Sequence, residues 1–128
     1  MKRVIPLLII ALLAIPVSVV FANSRSHENS AKPSVVLVHG AWADGSSWNR
    51  VISRMQDEGF SVFAVANPLR GLASDSAYLA SFLKTITGPI ILVGHSYGGA
   101  VITNAATGNA NVKALVFIDA FAQTRENR

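Results

Sequence analysis

From residue 34 onward the chain alternates short unbroken apolar runs with longer stretches whose apolar residues recur every three or four positions. Val35-Val36-Leu37-Val38, Ser61 to Ala66, Ile90-Ile91-Leu92-Val93 and Val112 to Ile118 are the short runs. Continuous apolar character over so few residues reads as a strand buried on both faces. Between them, Trp48, Val51, Ile52 and Met55 fall on one helical face behind a Ser46 or Ser47 cap, and Gly59 ends that helix. Ser74 or Asp75 opens a second helix with Leu79, Phe82, Leu83 and Ile86 on its buried face, broken by Gly88-Pro89. A third, rich in alanine, runs from about Tyr97 to Thr107 and closes at Gly108-Asn109. Alternation at this spacing predicts right-handed βαβ units and an α/β fold, a parallel sheet of about four strands flanked by helices. Such sheets carry their reactive loops at the carboxyl ends of the strands.

The N-terminus breaks this pattern. Lys2 and Arg3 precede an almost wholly apolar stretch, Val4 to Phe21, and Val20-Phe21-Ala22 offers the small residues of a cleavage site. Residues 1–22 are therefore expected to be an export signal, making the protein periplasmic or secreted. The alternative is an uncleaved anchor facing outward, the one route by which a membrane would be a partner. Residues 23–33 read as a polar linker, 34–122 as the folded domain and 123–128 as a polar tail.

Composition narrows the function classes. With 128 residues, 51% hydrophobic and 14% charged, the chain can bury one core. Lys2 and Arg3 supply part of its formal charge of +4; without them nine basic residues face seven acidic ones, a balance of +2 with no basic cluster. Nucleic acid is therefore not an expected partner. The absence of cysteine excludes disulfides, thiol catalysis and cysteine zinc sites. No cofactor or metal is expected.

Candidate chemistry centres on Gly94-His95-Ser96-Tyr97-Gly98, which joins the third apolar run to the third helix. Gly-x-Ser-x-Gly between a strand and a helix is the pattern of a nucleophile elbow, with the serine hydroxyl projecting from the carboxyl end of the sheet. A serine hydroxyl also needs donors for the developing oxyanion. Tyr97 N–H, at the start of a helix, is one candidate, and Ala41 N–H in the His39-Gly40-Ala41-Trp42 loop is the other.

Three segments in order, Val-Leu-Val-His-Gly-Ala-Trp-Ala-Asp-Gly-Ser-Ser-Trp, Ile-Leu-Val-Gly-His-Ser-Tyr-Gly-Gly and Ala-Leu-Val-Phe-Ile-Asp-Ala-Phe-Ala, resemble the α/β-hydrolase superfamily. The resemblance covers Pro33 to Ala122 and points to the small esterase and hydroxynitrile-lyase-like branch, which includes plant methyl esterases. It implies Ser96 as nucleophile, Ala41 and Tyr97 as oxyanion-hole residues, and a small-molecule ester as substrate. It also implies an acid and a histidine later in the chain than Ser96, in positions beyond Arg128. The expectation is thus the N-terminal portion of an esterase, weak or inactive as it stands.

No residue within the 128 replaces that histidine. His39 and His95 are expected to shape their loops, and His27 lies in the linker. Asp119, at the end of the fourth strand, is the one candidate acid, since some members of the family place the acid there. Asp44 reads as a turn residue, Trp42 and Trp48 as packing residues with Trp42 able to line a pocket, and Arg70 as an exposed loop residue. The alternative to an enzyme is a non-catalytic binding or assembly module of the same fold. The apolar fourth strand would then self-associate through an unpaired edge.

Overall fold

A computed structural model describes residues 32–122; the expected export signal, most of the linker and the polar tail lie outside the described residues. Strand β1 (Ser34–Val38) leads through a short 3-10 turn, Gly45–Trp48, into helix α1 (Asn49–Asp57). There follow β2 (Val62–Val65), α2 (Leu72–Leu83), β3 (Ile90–His95), α3 (Tyr97–Ala105) and β4 (Val112–Ile118). All strand pairs are parallel, in the order β2-β1-β3-β4. Among the described residues no helix is long and apolar enough to cross a membrane.

The sheet is covered on both sides near its centre, which is why β1 and β3 are written as unbroken apolar runs. Val36, Val38, Ile90 and Leu92 face α2 and α3, packing with Leu79, Leu83, Val101 and Ile102. Val35, Leu37 and Val93 face the other way, toward Trp48, Ile52 and Met55. Registers Val35↔Ile91 and Val36↔Leu92 keep the two side-chain sets on their own faces.

The chain leaves β1 toward β2 on one side, then crosses back over β1 to lay down β3 on the other. The carboxyl ends of β1 and β3 are therefore neighbours at a point where the winding direction reverses. Loops diverge there and leave a crevice, the usual ligand position in open parallel sheets.

Three local expectations change. Asp44 is the cap at the start of the first helical segment: its carboxylate accepts from Ser46 N–H at 2.8 Å, ahead of both serines. Val51 is 39% exposed, because α1 seats itself through Ile52 and Met55 with Trp48 beneath. Helix α2 opens at Leu72 with Gly71 at its cap, so Asp75 sits inside the first turn rather than before it.

Strand β4 forms one edge of the sheet. Val116 and Ile118, in register with Val93 and His95, are 41% and 42% exposed.

Candidate active site

Among the described residues, four other than glycine have positive φ, and each lies past the carboxyl end of a different strand. They are Trp42 (φ 64) after β1, Leu69 (φ 57) after β2, Ser96 (φ 50) after β3 and Asp119 (φ 44) after β4. The turns at the amino edge instead use Gly59, Gly88 and Gly108, where a positive φ costs little. A side chain held in such a conformation costs on the order of 1–3 kcal/mol and persists only where its surroundings enforce it. Strain is thus concentrated on the one edge of the sheet where the crevice lies.

Ser96 is the junction itself, with φ 50 and ψ −121 between the last residue of β3 and the first of α3. Its N–H donates to Ile118 O at 3.2 Å, tying it to β4, and its carbonyl accepts from Gly99 N–H at 3.0 Å. The helix can start this close to the sheet because residue 98 has no side chain. A Cβ built there would stand 2.5 Å from Val38 O and 3.0 Å from His39 O.

The loop after β1 leans on the same junction: a Cβ on Gly40 would meet Ser96 Cβ at 2.9 Å and His95 O at 3.1 Å. Among the described residues, the N–H groups of Ala41 and Tyr97 have no hydrogen-bond acceptor. Two unpaired donors therefore flank Ser96, one on the adjoining loop and one at the start of a helix.

His39 is fully engaged elsewhere. Its Nε2 accepts from Asn67 N–H at 2.9 Å, and its Nδ1 lies 2.8 Å from Gly40 O, so Nδ1 carries the proton. Asn67 Nδ2 adds a bond to His39 O at 3.3 Å. These contacts bind the loop after β1 to the end of β2 and leave His39 no free ring nitrogen for Ser96. His95 points to the α1 face of the sheet, beside Ile118. Among the described residues, neither the Ser96 hydroxyl nor the Asp119 carboxylate has a hydrogen-bond partner.

Beside the junction, Ala41, Leu69, Arg70, Gly71 and Tyr97 line a cleft of about 390 Å³. Arg70 belongs to this cleft, whereas Trp42 is fully exposed and takes no part in it. A cavity of about 350 Å³ at the opposite end of the sheet, lined by Leu83, Lys84, Thr107 and Asn111, lies far from these loops.

The least foreseeable contact is between Asp75 and Tyr97. The Tyr97 hydroxyl donates to Asp75 Oδ2 at 2.8 Å, and Arg70 N–H donates to Oδ1 at 3.1 Å. Burial pushes the Asp75 carboxyl up, but the hydrogen bonds from Tyr97, Arg70, Gly71 and Ser74 outweigh it and hold the group below its ordinary 3.8. Burial, together with the neighbouring carboxylate, pushes the Tyr97 phenol from 10.0 up to about 12.

Both shifts make stability depend on pH, in opposite windows. A depressed Asp75 contributes stability above its unfolded value, and the contribution fades as pH falls below about 4. A raised Tyr97 contributes fully below pH 10 and loses that contribution as pH rises toward 12. We therefore expect the urea midpoint to fall between about pH 9 and pH 12 more steeply in the unsubstituted protein than in Tyr97→Phe. Lysine titration is common to both proteins and cancels; parallel curves would contradict the coupling.

Comparison with known proteins bears on the family and the fold. The carbendazim hydrolyzing esterase of Nocardioides sp. (strain SG-4G) is 33% identical over 67% of this chain and 41% of its own length. The putative chloroplastic methylesterase 13 of Arabidopsis thaliana is 33% identical over 61% of this chain and 20% of its own. Among solved structures, an extracellular alpha/beta-hydrolase from a Paenibacillus species superposes with a TM-score of 0.66 at 27% identity, covering 73% of this chain and 43% of that one. A pyrethroid hydrolase from Sphingobium faniae JZ-2 gives 0.58 at 27% identity, covering 69% and 40%. The chain thus spans between a fifth and somewhat over two fifths of the length of these relatives. The sequence profile of the alpha/beta hydrolase family matches residues 35–128, and the chain belongs to that family.

Proposed function

We propose that this protein is an exported carboxylic ester hydrolase in which Ser96 is the nucleophile and the N–H groups of Ala41 and Tyr97 hold the oxyanion. The observation that carries this reading is the strained Ser96 backbone where β1 and β3 diverge, with the Gly40 loop packed against it. Backbone donors on two rigid elements require no reorganisation as charge develops on the carbonyl oxygen, which is where such sites gain most of their rate.

In this reading, Ser96 Oγ attacks the ester carbonyl carbon while a base takes its proton. The tetrahedral intermediate collapses, the C–O bond to the alcohol breaks, and the same proton is returned to the leaving oxygen. Water then hydrolyses the acyl-serine by the reverse roles. The order of parts in this family places the acid and then the histidine after the nucleophile. With both His39 nitrogens occupied, we propose that the base comes from sequence outside the 128 residues. Asp119 is the acid only if that base approaches from the end of β4. The named relatives are a carbendazim hydrolyzing esterase, a putative methylesterase and a pyrethroid hydrolase, which supports small-molecule esters as substrates. Export rests on the Lys2-Arg3 and apolar N-terminal pattern, with an extracellular relative in support.

The test is covalent. A fluorophosphonate in imidazole buffer is expected to add one phosphonyl group to the peptide containing Ser96, read by mass spectrometry, and none to Ser96→Ala. Labelling of another residue, or none, would sink the assignment.

A further inference from the structure

Tyr97 and the Arg70–Gly71 loop both line the cleft beside Ser96, and Asp75, which lines none of it, touches both. Its carboxylate is fully buried in the first turn of α2. Oδ2 accepts from the Tyr97 hydroxyl at 2.8 Å and weakly from Gly71 N–H at 3.5 Å; Oδ1 accepts from Arg70 N–H at 3.1 Å and weakly from Ser74 Oγ at 3.4 Å. A buried charge with so many donors is an expensive feature to keep for one loop alone, since a leucine would fill the space without desolvating an ion. What an apolar side chain could not do is bind two walls that come from different segments, 22 residues apart at Asp75 and Tyr97. Charge-assisted bonds are short and directional, so they set distance as well as proximity.

The geometry points to Asp75 as a positioning residue that holds Tyr97, and with it the start of α3, in fixed relation to the Leu69–Gly71 loop. This rests on the reading of Ser96 as nucleophile and Tyr97 N–H as oxyanion donor. Tyr97 is anchored at its far end by Asp75, and its own N–H opens α3, so a phenol that swings free loosens the residue that carries the donor. The Leu69–Gly71 wall moves with it, and the crevice that orients the ester loses its spacing. Displacements of about 1 Å in such sites can cost on the order of a hundredfold in rate.

The experiment compares the full chain, Asp75→Asn and Tyr97→Phe for phosphonylation of Ser96 in imidazole buffer, alongside an alkaline absorbance titration of the tyrosines. Only Tyr78 and Tyr97 contribute to that titration, and Tyr97→Phe assigns the signal. Asp75→Asn is expected to shift the Tyr97 titration to lower pH and to slow labelling of the folded protein by about 10- to 100-fold. Tyr97→Phe, which leaves the bonds to Arg70 and Gly71 in place, should slow it less. A shifted Tyr97 titration with unchanged labelling would overturn the inference, because the clamp would be broken without consequence at Ser96. If Asp75→Asn does not fold, an unchanged rate in Tyr97→Phe overturns it equally. Failure of the unsubstituted protein to label removes the nucleophile reading itself, and the positioning role falls with it.

Discussion

Gly98→Ala is expected to destabilise the chain by about 3 kcal/mol or more, at the upper end of what overpacking a core position costs. The added methyl would stand 2.5 Å from Val38 O and 3.1 Å from Val38 C, with His39 O at 3.0 Å. All three obstacles are backbone atoms of β1 and the loop after it, so no rotamer change relieves them. Either α3 lifts off the sheet or β1 shifts, and β1 is held by a paired strand on each side. A domain of this size has roughly 5–15 kcal/mol in total, so the loss should lower the midpoint of thermal unfolding by roughly 10 °C or more. Gly45→Ala is the matched control. Its Cβ would sit at an ordinary 3.6 Å from Ala64 Cβ, and a change within about 0.5 kcal/mol is expected. Equal midpoints for the two variants would mean that the close approach of α3 to β1 is not what residue 98 provides.

The same contrast shows which parts of the molecule could be read from the chain. Strands β1 and β3 were legible because burial on both faces leaves no polar position in Val35–Val38 or Ile90–Val93. The Ser96 turn was legible because close packing of a helix start on two strands demands small residues at fixed spacing around it. Asp75 was not. A carboxylate near the start of a helix has the same local signature whether it caps that helix or reaches across to Tyr97, and only the packing of α2 on α3 decides between them. The bond from Asn67 N–H to His39 Nε2 spans 28 residues and was equally invisible. Strain at Trp42, Leu69 and Asp119 left no sign either. Sequence signals of positive φ are glycines, and at the carboxyl edge of this sheet only Gly71 supplies one, while the other four positive-φ positions carry side chains.

The largest chemical effect should come from supplying a base. With His39 occupied at both nitrogens and no described partner on the Ser96 hydroxyl, the 128-residue chain is expected to hydrolyse p-nitrophenyl acetate scarcely faster in plain buffer than Ser96→Ala does. Free imidazole can stand in for the side chain that would take the Ser96 proton, because Ser96 is only half-buried and borders an open cleft of about 390 Å³. A general base contributes typically 10²- to 10⁴-fold, so the Ser96-dependent rate should rise by at least about 100-fold as imidazole is added and then saturate. Only the neutral ring accepts a proton. The effect should therefore grow with pH through the neutral region, where free imidazole loses its proton, and level off above it. Imidazole also cleaves aryl esters unaided, but that background is linear in concentration and equal in Ser96→Ala, so subtraction isolates the enzymatic part. Robust Ser96-dependent turnover without imidazole would mean that a base already lies within the chain. Saturable turnover that persists in Ser96→Ala would instead remove Ser96 from the chemistry.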